Sequence, residues 1–110
     1  MKATAEIDAG ICGFRTVAGL TSEDYQNVTF NIQTDCEKVR NLAELIKEKA
    51  PVDAFQEIHL GADGVVLTAS RSALKGCCAA CAVPVGIFKA MQVCAGLALP
   101  KDIAIKIAKE

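Results

Sequence analysis

Residues 27–46 read NVTFNIQTDCEKVRNLAELI, and the period of the apolar residues changes inside this stretch. Up to Ile32 the apolar positions are Val28, Phe30 and Ile32, separated by Thr29 and Asn31. That alternation puts all three on one face of a strand. Beyond Cys36 they are Val39, Leu42, Ala43 and Ile46, the i, i+3, i+4, i+7 spacing of one helix face. Between the two patterns lies TDCE, residues 34–37, which matches a capping box with Thr34 as N-cap and Glu37 three positions on. Pro51 is the expected end of the helix.

On the N-terminal side, ATAEID (residues 3–8) alternates, with Ala3, Ala5 and Ile7 on one face, and TVAGLTS (16–22) is a second strand candidate. On the C-terminal side, residues 52–69 are ambiguous: GADG (61–64) is turn-like, and VVLTAS (65–70) suits a strand or the start of a helix. Pro84 suits a first helical position. Val85, Phe88, Ala90 and Met91 then read as a helix closed by a glycine cap at Gly96. After a connector, LALPKD, the residues Ile103, Ile105 and Ile107 alternate strictly. They predict a final strand in the same sheet as Val28, Phe30 and Ile32. The expected fold is α+β: a two-layer domain whose mostly antiparallel sheet, three N-terminal strands plus a C-terminal strand, is packed by helices. Residues 1–110 form a single cysteine-rich domain on this reading.

The composition supports a real core. Of 110 residues, 52% are hydrophobic, with no Trp, one Tyr and four Phe, so the interior must be mostly Ala, Val, Ile and Leu. Twelve basic and 13 acidic residues give a net charge of −1. That leaves no excess of positive charge for nucleic acid or for an anionic membrane surface. MKATAEIDAG has no apolar run after its lysine, so no secretory signal is expected. The uncharged run Gly76–Phe88 is too short to span a bilayer and contains Pro84. The expected location is the cytoplasm, where thiols stay reduced and a disulfide framework is not anticipated. With one His and no Ser-His-Asp arrangement, P-loop or dinucleotide fingerprint, the sequence points away from an enzyme.

The six cysteines are Cys12, Cys36, Cys77, Cys78, Cys81 and Cys94. Three crowd into GCCAACAVP (76–84), where Cys78 and Cys81 have CxxC spacing and Cys77 and Cys81 have CxxxC spacing. CxxC alone occurs in redox sites, zinc knuckles and iron–sulfur ligation. Cys12 sits between Gly10 and Gly13, which allow the backbone a tight turn and close approach to a ligand. Cys36 falls at the expected second helical position, where unpaired N–H groups favour thiolates. Loop and helix-start thiols are the kind that converge on a soft metal. The plainer alternative is that cysteines fill an Ala-rich core. That reading is favoured for Cys94, inside an apolar helical segment, and His59 is expected to be a surface or partly buried residue.

The order of these features resembles the U-type (NifU/IscU-like) iron–sulfur cluster assembly scaffolds. The match is carried by ICG at 11–13 and TFNIQTDC at 29–36, followed by a late cysteine in the 77–81 cluster. Phe14 stands where those scaffolds carry an Asp, and no His precedes the late cysteine. The chain is also similar to small cysteine-rich proteins of anaerobic microbes. The resemblance implies a scaffold or carrier that binds an iron–sulfur cluster, with zinc as the other soft-metal option, and protein partners in cluster assembly. The metal candidates are Cys12, Cys36, Cys77, Cys78 and Cys81. Adjacent cysteines do not readily face one centre, so the cluster is expected to split, with Cys81 the foremost ligand and Cys77 next. Two other readings stay open: a thiol redox or sulfur-handling protein with Cys36 as nucleophile, and an interaction domain with inert buried cysteines.

Overall fold

The computed structural model describes all 110 residues. Three strands form an antiparallel meander: β1 (Lys2–Asp8), β2 (Arg15–Thr21) and β3 (Asn27–Thr34). The register stacks the alternating residues in rows across one face: Ile7 beside Thr16 beside Thr34, Ala5 beside Ala18 beside Ile32, and Ala3 beside Leu20 beside Phe30. The other face carries exposed polar residues such as Thr4, Glu6, Thr29, Asn31 and Gln33. One buried face and one wet face are what an antiparallel sheet with a single helical layer requires.

That layer is built from α1 (Glu37–Lys49), α2 (Ala54–Leu60), α3 (Val65–Ala73) and α4 (Val83–Cys94). Helix α1 buries Val39, Leu42 and Ile46 against β3 and α3. Helix α4 lies over β1 and β2 and buries Val83, Ile87, Ala90, Met91 and Cys94. Gly86 lets α4 come this close: a Cβ there would stand 2.6 Å from Ile7 Cδ1. Helix α4 ends as expected, with Leu97 N–H donating to the Gln92 carbonyl (2.8 Å) and Gly96 N–H to Val93 (3.0 Å). Those are the two bonds of a Schellman cap.

Two expectations need correction. The fourth strand is β4 (Val52–Asp53), paired antiparallel with Asn27 and Val28, and not the C-terminal segment. Residues 97–110 carry no helix or strand, and Ile103, Ile105 and Ile107 are 50%, 72% and 91% exposed. Their alternation is a strand pattern that finds no neighbour within the domain. Helix α1 also begins later than the capping box implies. Thr34 ends β3, and its hydroxyl is engaged by Thr16 Oγ1 (3.0 Å) and by the N–H of Cys36 (3.1 Å). Cys36 is therefore itself the N-cap, with an extended backbone and no side-chain capping bond.

The ambiguous stretch 52–69 resolves into two helices whose starts are held by carboxylates. Asp53 caps α2 by accepting from Phe55 N–H (3.0 Å) and Gln56 N–H (3.2 Å). Glu57, buried, accepts from Val65 N–H (2.8 Å) and Val66 N–H (2.7 Å) at the start of α3. The 19-residue stretch Gly76–Cys94 reaches a mean hydropathy of 1.6 over 18 residues, enough by composition to cross a membrane. It is a 3₁₀ turn, a break and then a 12-residue helix with one face on the sheet. A helix of that length reaches only about 18 Å, against about 30 Å of bilayer hydrocarbon.

Candidate metal centre

The topology brings the cysteine-bearing segments to one end of the sheet. β1 finishes and β2 begins there, so Cys12 lies in their connecting turn. β3 finishes at the same end, because Thr34 pairs with Thr16, and Cys36 follows it directly. Helix α4 starts at this end too, since Gly86 in its first turn lies against Ile7 near the end of β1. The segment before α4 is tied to α1 by Lys38 Nζ donating to the Lys75 carbonyl (3.2 Å). Three loops distant in sequence thus share one edge.

Each loop is shaped by its own sequence. In the β1–β2 turn, Gly10 and Gly13 take φ of 93° and 77°, and Gly13 N–H closes on the Gly10 carbonyl at 2.9 Å. Both values lie where only glycine is comfortable, and Cys12 rides exposed between them. Residues Gly76–Cys78 form a 3₁₀ turn, and Cys81 N–H donates to the Cys78 carbonyl at 3.0 Å. One tight turn therefore spans the CxxC. Cys36, Cys78 and Cys81 are half-buried and pack against the hydrophobic core.

Cys81 is the most informative of the set. Burial pushes its thiol above the ordinary range, the Val83 N–H opposes that shift, and negative charge on Cys12, Cys36 and Cys78 adds to it. Cys77 is exposed, does not pack on the core and is not among the groups acting on Cys81. Of the adjacent pair, which sequence analysis ranked with Cys77 next after Cys81, it is Cys78 that packs against the core. No three His, Cys, Asp or Glu side chains stand close enough together to hold an ion.

The remaining thiol and the lone imidazole lie elsewhere. Cys94 is fully buried in α4, and its Sγ–H donates to the Met1 carbonyl (3.4 Å) at the opposite end of the sheet. Burial raises its thiol as well. His59 is exposed on α2. A surface groove of about 390 Å³ between α1 and α3, lined by Asn41, Glu44, Leu45, Ser72 and Ala73, contains no cysteine. Glu57 is the buried charged residue that sequence patterning passes over. Its only sequence signal is GADG four residues downstream: a Cβ at Gly64 would stand 2.5 Å from the Glu57 Oε2 and would have to displace that carboxylate.

Comparison with protein families places residues 3–107 within one model. The chain belongs to DUF6951, a family of unknown function. No curated protein and no solved structure matches it. The matched residues include all six cysteines and every helix and strand in full except Lys2 of β1. The family assignment thus covers the thiol-bearing end of the sheet without assigning it a role.

Proposed function

We propose that this DUF6951 protein binds a soft metal ion or an iron–sulfur cluster through Cys12, Cys36, Cys78 and Cys81, acting in the cytoplasm as a scaffold or carrier and not as an enzyme. The observation that carries the reading is the convergence of the three loops at one end of the sheet, where Cys36, Cys78 and Cys81 pack on the core and Cys12 rides the adjoining turn. Four sulfurs make a full tetrahedral set for zinc, and four thiolates are also what an iron–sulfur cluster takes from its protein. The U-type resemblance of ICG and TFNIQTDC favours the cluster. Binding requires the sulfurs to draw closer, through movement of the exposed glycine-flanked turn of Cys12 and of the 3₁₀ turn that carries Cys78.

Two consequences separate this reading from inert thiols. Binding must displace protons, and burial makes the proton on Cys81 harder to remove, so affinity should climb as pH rises. Ligand loss should also be selective. Protein reconstituted anaerobically with ferrous iron and sulfide, or titrated with cobalt, should develop thiolate charge-transfer absorption. Cys12→Ser, Cys36→Ser, Cys78→Ser and Cys81→Ser should each weaken uptake by roughly 100-fold, the equivalent of about 2.7 kcal/mol. Cys77→Ser should leave it unchanged. A colourless wild-type protein, or losses spread evenly over all cysteine variants, would end the proposal.

A further inference from the structure

The C-terminal segment is a strand pattern without a sheet. No backbone hydrogen bond joins residues 98–110 to the domain, and every one of them is exposed. The sheet, for its part, has an open side. β1 is an edge strand, paired with β2 from Lys2–Thr21 to Asp8–Arg15 and with nothing on its other flank. Its inner face offers Ala3, Ala5 and Ile7, and its outer face carries Lys2, Thr4, Glu6 and Asp8. An edge of this kind accepts an added strand through its free N–H and carbonyl groups.

We propose that Asp102–Ala108 of one chain adds to the free edge of β1 in a second copy, parallel to it, and that two copies exchange these strands reciprocally. Charge selects the register. With Lys2 set beside Asp102, Glu6 falls beside Lys106, and both pairs attract. In the same register Ile103, Ile105 and Ile107 lie beside Ala3, Ala5 and Ile7, so every isoleucine joins the apolar face. Antiparallel registers do worse. Setting Lys2 beside Ala108 brings Asp8 against Asp102, and setting Lys2 beside Lys106 brings Glu6 against Asp102. The antiparallel register that pairs Lys2 with Glu110 and Glu6 with Lys106 puts Lys109 on the apolar face and leaves Ile103 beyond the strand.

The occupant is a second copy because the chain leaves its own β1 edge empty while its own isoleucines stay exposed. Each chain carries one donor strand and, in β1, one edge open along its full length with an apolar inner face and matching charges, so a two-fold pair satisfies both. The family match runs through Ile107, so all three isoleucines of the donor segment lie within the family's domain.

Sedimentation of the full chain across a concentration series, with thiols reduced, tests this. The wild type should associate to a dimer, and Ile103→Asp with Ile105→Asp should sediment as a monomer. Lys106→Glu sets like charges against Glu6 at two symmetric contacts and should raise the dissociation constant roughly tenfold. Glu6→Lys combined with Lys106→Glu should restore it. A wild-type monomer at every concentration overturns the proposal, even if hydrogen exchange shows the segment protected on its own edge. So does a dimer that survives the paired aspartates, or a charge swap that fails to restore association.

Discussion

Where β3 begins, three carboxylates hold turn and helix starts through backbone N–H groups; where β3 ends lie loops that carry four thiols, of which only Cys81 takes a backbone N–H. At the first end Asp24 accepts from Gln26 N–H (3.0 Å), Asn27 N–H (2.8 Å) and Asn27 Nδ2 (2.8 Å), which fixes the β2–β3 turn. Asp53 caps α2 and takes a further bond from Gln26 Nε2 (2.8 Å), and Glu57 caps α3. At the other end Cys36 occupies the N-cap of α1 without making a capping bond. Sulfur is a poor acceptor beside a carboxylate oxygen, so a thiol at a helix start leaves N–H groups to water and keeps its own bonding capacity. The carboxylates have spent theirs on backbone. Of the thiols, only Cys81 takes a backbone N–H, that of Val83, and that is the difference between a structural closure and a place able to take a ligand.

Glu57 gives the largest test of the contrast. Glu57→Ala leaves two N–H groups at the start of α3 without partners, one of them on buried Val66, at a cost of about 3 kcal/mol. That is a large share of a small domain's 5–15 kcal/mol or so. Gly64→Ala attacks the same contact from the other side, since its Cβ would meet the Glu57 carboxylate, and should cost about 1–3 kcal/mol. Denaturant unfolding measures both. Metal uptake by the fraction still folded should be unchanged. A Glu57→Ala midpoint equal to wild type would show that the carboxylate end is not what holds the helices.

The same contrast explains what could be read from sequence. Strands β1 to β3, the apolar face of α1 and the Gly96 cap follow from local periodicity and turn chemistry, and each appears where the pattern puts it. The start of α1 moved by two residues because Thr34, a sound N-cap in isolation, is held by Thr16 from another strand. Helices α2 and α3 were unreadable because the cap of α3 is Glu57, eight residues upstream of the N–H it satisfies. The isoleucines at 103, 105 and 107 announce a strand but not its neighbour, and inside one chain they have none. Among the cysteines, position at backbone punctuation separated Cys12 and Cys36 from core-filling Cys94. It could not choose between Cys77 and Cys78, which depends on which of two adjacent side chains meets the core.

Acid exposes the carboxylate end alone. The side chain of Asn27, then the N–H groups of Asn27 and Gln26, hold Asp24 well below the usual carboxylate range, and the side chain of Gln26 leads the same effect at Asp53. Both groups bind protons more weakly folded than unfolded. Their stabilisation is therefore complete above the unfolded value of about 3.9 and is lost as pH falls through the lower folded values. Asp24→Asn and Asp53→Asn should each flatten the decline of stability below about pH 5. Gln26→Ala should flatten the share that belongs to Asp53. An acid limb identical in all these variants would mean that other groups set it.

The smallest effect lies at the thiol end and has the opposite sign. Burial, with the neighbouring thiolates, raises Cys81 above the ordinary thiol value of 9.0, and burial raises Cys94 likewise. The folded protein then holds these protons more tightly than the unfolded chain. Their contribution is fully present below that ordinary value and is lost as pH climbs through the raised one. The two thiols are told apart by metal. Zinc ligated by Cys81 removes its proton outright, so added zinc should abolish the Cys81 share of the alkaline decline and leave that of Cys94, which sits at the far end of the sheet. Cys81→Ser should reproduce the first change without zinc, and Cys94→Ser should add to it. Alkylation of Cys81 that follows the pH curve of free cysteine would remove the desolvated thiol, and with it the reason to expect proton release at this end of the sheet.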